Sequence, residues 1–364
     1  MGNEKVSVAT PIKIGALTLK NRITFAPTVK FDMTDDSGMV TPAHVEHYKE
    51  RAEGGCGLIC VEATAVTPGG RFGKNHLGLW DDKQAEGHKK ITEACHAAGA
   101  AVIIQLNHTG YTSNPECGPA IGPSSLERQG FMGPYTTIEM TVSEIWDMQN
   151  SFIKAAVRAK AAGYDGVQLH GCHGYLINQF MSSATNRRLD FYGGTIANRA
   201  RFATEIIQEI RRVCGPDFLI SVRTSGYDET LEDALGVAEE YVKAGCDYLQ
   251  VSSGLTDLKT LLPFYDSKVT DIQSVGAYFK QHFNGRVPVS CVGGLNEPGQ
   301  IYYLIENGYV DTVDVAKAIL ADPGFANAVI EGTGFVKCFG CKMCQYGPFT
   351  KHVCPAELKR KQEA

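Results

Sequence analysis

The sequence predicts an α/β protein built as a closed (β/α)8 barrel of the TIM type, followed by a short cysteine-bearing extension. Three observations carry this. Short apolar strands alternate with amphipathic helices about eight times, the pattern of parallel βαβ units. Three helix exits repeat one phrase, Ala98-Gly99-Ala100, Ala162-Gly163-Tyr164 and Ala244-Gly245-Cys246, in which a closing glycine is followed at once by an apolar strand. Polar residues also stand at the C-terminal end of nearly every strand, as they do when a site is assembled from all the loops of a barrel. The competing closure, an open doubly wound sheet, would place G-x-G-x-x-G after its first strand, and that motif is missing there.

In order, the first strand is expected over 22–28, ending in a turn. Its helix starts at Thr41-Pro42, a cap with proline in the first turn, and runs to Gly54-Gly55. The pairs that follow are a strand at 57–66 with a helix at 83–98, then a strand at 101–106. A loop rich in Gly and Pro over 111–140 is expected to carry a small hairpin or lid, before a helix at 142–162. The fourth strand, 166–169, delivers His170, His173 and Tyr175 to its carboxyl end. The long polar loop after it, with Asn186, Arg187, Arg188, Asp190 and the Tyr192-Gly193-Gly194 turn, reads as an active-site floor. The remaining pairs are a helix at 198–213, strand 218–222 with helix 230–244, and strand 247–252 with helix 270–283. Strand 287–292 with helix 297–306 and strand 312–316 with helix 322–331 complete the eight.

Composition sets the class. The chain has 364 residues, 43% of them hydrophobic and 21% charged, enough to bury a sizeable core. A net charge of −5 gives no support for nucleic acid or an anionic membrane as partner. No apolar run reaches the length of a membrane span, and MGNEKVSVAT lacks the apolar core of a signal peptide, so the cytoplasm is the expected compartment. Of twelve cysteines, eight are scattered, and Cys60 and Cys291 read as small buried hydrophobes. The other four, Cys338, Cys341, Cys344 and Cys354, are bunched and ask for a metal rather than disulfides.

The strand ends gather Pro27-Thr28, Ala63, Gln105 with His108, the His170/His173/Tyr175 group, Arg223, Gly293-Gly294 and Ala316-Lys317 at one rim. The glycine pair and the lysine stand where barrels commonly cradle phosphate, through close backbone N–H groups and a cation. Gln105 and Arg223 could face a heterocycle, the cation opposing negative charge on the reduced ring; alternatively they satisfy each other inside the mouth.

The run QLNHTG, the block HGCHGYLINQFMSSATNRRLDFYGGTIANRARF and VRTSGYD resemble the Old Yellow Enzyme family of FMN-containing barrels, over about residues 8–332. The resemblance implies FMN bound without a covalent link, with Pro27, Thr28, Ala63, Gln105 and Arg223 around its ring and Gly293, Gly294 and Lys317 at its phosphate. It also implies that His170 and His173 bind a substrate carbonyl and that Tyr175 donates a proton. The chemistry agrees: as hydride reaches the β-carbon of an activated alkene, charge develops on the carbonyl oxygen, and donors aimed at it stabilise it. The α-carbon then takes a proton, which a phenol of pKa about 10 can give. A core hydrogen-bonded pair and a metal site are the other readings of the two histidines, although only two ligands are visible.

Three departures stand out. The family's Gly-Arg after the last strand is Ala316-Lys317 here, which keeps the charge and loses the bidentate fork. The family's arginine after the third strand is Tyr111. The stretch from Ser252 to Asp257 lacks the histidine of the dienoyl-CoA reductases, which argues against a dienoyl-CoA substrate.

Four thiolates spaced as Cys338-x2-Cys341-x2-Cys344-x9-Cys354-Pro can bind zinc or an iron–sulfur cluster, and three close cysteines with a distant fourth before proline fit [4Fe–4S] better. The arrangement resembles the larger family members (trimethylamine dehydrogenase and the dienoyl-CoA, bile-acid and enoate reductases), which continue into nucleotide-binding domains. The expected units are a barrel over 1–336 and a cysteine segment over 337–364, with no room after it for such a domain. Electrons are therefore expected from a separate donor protein through the cluster, or directly from NAD(P)H. The leading expectation is an ene-reductase acting on an activated alkene, as a homo-oligomer. An amine dehydrogenase of the trimethylamine type and an electron-transfer subunit without its own substrate are the alternatives.

Overall fold

A computed structural model of the chain describes residues 6–130, 133–227, 229–253, 268–346 and 352–363. An antiparallel hairpin, β1 (Ile12–Ile14) and β2 (Leu17–Leu19), precedes the barrel. The eight barrel strands are β3 (Ile23–Phe25), β4 (Leu58–Ala65), β5 (Ala101–Asn107), β10 (Gly166–Gly171), β11 (Leu219–Ser225), β12 (Tyr248–Ser252), β13 (Val289–Cys291) and β14 (Thr312–Val315). They pair in parallel and in sequence order, and β14 closes on β3. The helices between them are α1 (Pro42–Glu53), α2 (Asp82–Ala97), α3 (Val142–Ala161), α4 (Leu176–Met181), α5 (Ile196–Cys214), α6 (Leu231–Lys243), α7 (Asp271–Phe283) and α8 (Pro298–Glu306). After β14 come α9 (Lys317–Ala321), α10 (Phe325–Glu331) and α11 (Pro355–Glu363).

The helix limits follow from local chemistry. Thr141 caps α3 by accepting from the Glu144 N–H, and the Glu144 carboxylate accepts from the Thr141 N–H in return. Asp81 with Gln84 and Thr270 with Gln273 do the same for α2 and α7. The three repeated exits turn at Gly99, Gly163 and Gly245, with φ of 70°, 88° and 105°, the left-handed region that favours glycine.

Four differences from the sequence expectation have physical causes. The leader folds as the β1–β2 hairpin, whose Ile14 and Leu19 pack with Leu58, Cys60, Ile103, Leu219 and Tyr248 and stop the N-terminal end of the barrel with apolar side chains. The 111–140 excursion holds the expected hairpin, β7 (Glu127–Gly130) with β8 (Gly133–Thr136), and also pairs β6 (Ile121–Gly122) with β9 (Ile138–Glu139). The last helix, expected from 322, begins at Phe325 as α10, and an unexpected short helix, α9, precedes it over Lys317–Ala321; Pro323 between them cannot continue the ladder. Finally, the loop after β10 is a tie rather than a floor. Arg188 donates to the Pro123 and Met140 carbonyls at 3.0 and 2.6 Å, and Asn186 donates to those of Phe180 and Tyr192, which fastens the excursion to the barrel. Cys60 and Cys291 are fully buried, as expected. Among the described residues no helix is long and apolar enough to cross a membrane.

Candidate active site

The two-residue period of the strands stacks polar side chains in layers along the barrel interior. In the lower layer the Gln105 amide donates to Gln168 at 2.7 Å, Gln168 donates to Gln250, and Gln250 donates to the Asp314 carboxyl at 2.7 Å. Ser290 donates to the other Asp314 oxygen. Burial pushes the Asp314 carboxyl up to about 7. Gln105 and Arg223 do not satisfy each other; the amide is spent on Gln168, a partner whose place across β5 and β10 only strand register reveals.

Two residues further along each strand lies the upper layer. His170 sits beside Arg223 in register. His170 Nε2 is 3.1 Å from His173 Nδ1, and His173 Nε2 is 2.8 Å from the Ser252 hydroxyl. His173 adopts φ 62°, left-handed backbone that turns its ring back over the strand end. Tyr175, at the cap of α4, packs its ring edge-on to His170 at 4.7 Å and to Phe72 at 5.0 Å. Burial, reinforced by Arg223, drives the His173 imidazole down to about 3 and His170 well below its usual value, so both are neutral near pH 7. Burial pushes the Tyr175 phenol up to about 12.

The histidines are not two free donors, as the sequence suggested, because they are tied to each other and to Ser252. With Ser252 donating to His173 and His173 to His170, the remaining proton lies on His170 Nδ1, which has no partner among the described residues. Cys172 lies beside them, its ligand atom within 4.8 Å of theirs, a third group that the two-ligand reading of the sequence missed.

Elsewhere on the rim, Pro27 and Thr28 follow β3, with the Thr28 hydroxyl donating to the Ala26 carbonyl at 3.0 Å. The Ala63 carbonyl accepts from His76 at 2.6 Å. Next to it Glu62 is buried, accepts from the Lys30 N–H and the Tyr48 hydroxyl, and is pushed up to about 8 by burial. Gly293 and Gly294 have φ of 97° and 69°, and a Cβ on Gly293 would lie 2.3 Å from Ile272 Cγ2. Lys317 begins α9, is exposed, and lines a recess with all four clustered cysteines rather than joining the histidine group. Cys338, Cys341, Cys344 and Cys354 share that recess with Phe339, Tyr346 and the start of α11, each half-buried and none in a disulfide.

Besides Cys172, Ser252 and Asn107 escaped the sequence reading. Ser252 became a partner only once β12 was placed. Asn107 ends β5 two residues after Gln105, on the same face, with both amide atoms buried and unpartnered among the described residues. Period two alone could have singled it out. Ser252 and Ser253 are described; the rest of the 252–257 stretch lies outside the described residues.

The fold and site define a closed (β/α)8 barrel with a polar mouth. The profile of the NADH:flavin oxidoreductase / NADH oxidase family matches residues 7–333, and the chain belongs to that family, in which the Old Yellow Enzymes fall. It is 35% identical to the NADPH dehydrogenase of Bacillus licheniformis over 326 residues, 89% of this chain and 93% of that one. Among solved structures, morphinone reductase superposes with a TM-score of 0.77 at 26% identity, covering 92% of each chain. A 2-naphthoyl-CoA reductase in complex with 2-naphthoyl-CoA superposes with a TM-score of 0.85 at 27% identity; the match covers 93% of this chain and 55% of that one.

The protein is thus a flavin oxidoreductase, with FMN and NAD(P)H as the cofactors of its family. The mouth fits a planar polar ring. The Asn107 amide, Arg223 Nε and His170 Nδ1 are buried without partners among the described residues, so donors and an acceptor are left for a ligand whose edge carries both.

Proposed function

We propose that the chain is an ene-reductase, reducing a C=C conjugated to a carbonyl. The observation that carries this is the packing of buried His170 with half-buried His173 and Tyr175 into one group beside Arg223. FMN, when bound, would supply the two-electron hydride chemistry that the β-carbon needs. Pro27, Thr28, Ala63, Gln105 and Arg223 would hold its ring, and Gly293, Gly294 and Lys317 its phosphate. Because Gln105 Nε2 is spent on Gln168, its Oε1 is the atom left to accept from the ring.

The chain's own groups do the rest. The carbonyl oxygen binds at the histidine pair, where His170 Nδ1–H is the donor in waiting and His173 joins by exchanging its internal bond for the oxyanion. Both imidazoles are neutral, so they stabilise the developing charge without protonating it. The Tyr175 phenol donates its proton to the α-carbon; a pKa near 12 keeps it protonated across the working range. Phe72, packed on Tyr175 and on Phe31, shields the group from water.

In this reading residues 1–336 form the barrel and 337–364 a cysteine segment whose four thiolates would hold a [4Fe–4S] cluster, which would supply one-electron transfer. Supporting it, the four cysteines line one recess, and none of them is in a disulfide. Electrons would then come from a separate protein donor, with direct NAD(P)H reduction as the rival route. The test is anaerobic purification, flavin and iron analysis, then single-turnover mixing of the reduced protein with an enone. Reoxidation with formation of the saturated ketone is expected; flavin present with no alkene reduction would overturn the proposal.

A further inference from the structure

The cysteine segment differs in charge from the barrel that carries it. Residues 337–364 hold six basic residues (Lys337, Lys342, Lys351, Lys359, Arg360, Lys361) against two acidic ones (Glu357, Glu363), a net of +4. The other residues hold 29 basic against 38 acidic, a net of −9. A protein of net −5 therefore carries a basic stretch in the segment of the four thiols; within it Lys337 pairs with Glu297 of the barrel, Lys361 pairs with Glu357, and Lys351 lies outside the described residues.

The same stretch exposes apolar side chains. Phe339 is 53% exposed and Met343 62%, both between the clustered cysteines, and Leu358 on α11 is 49% exposed. Phe339 lines the cysteine recess itself, together with Pro355 and Ala356 at the start of α11. Lys342 and Lys359 are exposed within one residue of Met343 and Leu358 respectively. Apolar side chains at the centre with cations around them are the anatomy of an interface that binds by contact and selects by charge.

We propose that this face docks a small acidic one-electron carrier protein, an iron–sulfur or flavin carrier of low potential. The inference rests on the cluster reading of the cysteines for its redox part, though not for the surface. The charge contrast argues for this occupant: an acidic carrier is repelled by the barrel and drawn to the segment, so it arrives where the thiolates are. Each carrier molecule gives up one electron. Two reduced carriers and two protons from solvent convert one C=C to one CH–CH, and two oxidised carriers leave.

The test uses the whole protein and, as probe, an acidic ferredoxin with a single [4Fe–4S] cluster. The photoreduced probe is mixed anaerobically with the protein and electron uptake is followed by stopped flow. The expected second-order rate constant falls at least about tenfold as salt rises from roughly 20 to 300 mM. The double variant K342E/K359E, which takes the segment from +4 to 0, lowers the low-salt rate by about tenfold more, and F339A/M343A hastens dissociation. Calorimetric titration with the oxidised probe should show binding lost in the charge variant. A rate or affinity indifferent to salt and to charge reversal overturns the proposal, as does equally tight binding of an acidic protein that carries no redox centre. Iron analysis separates the two readings. Salt-dependent binding without iron leaves the surface standing and removes the cluster, whereas about four irons per chain with no such binding removes the surface alone.

Discussion

Tyr175→Phe isolates the proton step, because the structure separates what the ring does from what the hydroxyl does. The ring packs against His170 and Phe72 at centroid distances of 4.7 and 5.0 Å, contacts that phenylalanine keeps. Folded stability should therefore change by less than about 1 kcal/mol, the scale of one exchanged hydrogen bond. A positioned general acid is worth roughly 10² to 10⁴ in rate, or about 2.7 to 5.5 kcal/mol of barrier. Reduction of the flavin should be untouched while reoxidation by an enone slows by that factor, both read by anaerobic stopped flow. The pH dependence adds a second signature. A free phenol deprotonates near 10, but burial has pushed Tyr175 to about 12, so the wild-type reoxidation rate should stay level through pH 10 and fall only as pH nears 12. A Tyr175→Phe rate within threefold of wild type, or a wild-type decline centred on pH 10, would refute the assignment.

Other outcomes follow from the same geometry. His44, His76 and His88 are buried and held down to about 4, chiefly by desolvation, whereas in the unfolded chain they take up protons below about 6.5. Their contribution is complete above pH 6.5 and drains as pH falls toward 4, each site by on the order of 3 kcal/mol at most. Urea midpoints that do not move between pH 7 and 4.5 would contradict this. Gly166→Ala would put a Cβ 2.3 Å from the Leu219 carbonyl oxygen on the neighbouring strand, so a loss of about 1–3 kcal/mol is expected in thermal or urea unfolding, against no change if the strands part freely. Cys341→Ala should reduce iron from about four per chain to near zero while FMN is retained; unchanged NADH turnover in that protein would rule out an obligatory cluster route.

The barrel was legible because its strands and helices announce themselves by period and its exits by glycine. What stayed hidden depended on partners distant in sequence. A pair with Asp190 does not distinguish Arg188 in a structural tie from an arginine in an active site; its other acceptors are carbonyls near residues 123 and 140. Gln105 was picked out correctly as an inward polar residue, but its partner Gln168 is 63 positions away. The mutual engagement of His170 and His173 required the positive φ of His173, which a non-glycine residue does not advertise. Asn107 could have been read from the sequence and was passed over, since an asparagine beyond a strand looks like a turn former.

The hairpin stopper and the Gln105–Gln168–Gln250–Asp314 chain together give the barrel a single door. Apolar side chains close one end, and an unbroken row of amide contacts spans the interior above them. Every small molecule that reaches the catalytic group therefore comes over the same rim. Alkene, product and the solvent that reprotonates Tyr175 would have to take turns, and the order in which they come and go would be imposed by architecture rather than by affinity. The catalytic cycle would be a queue, and a bulky product that lingers at the rim would slow the next reduction as surely as it blocks the next alkene.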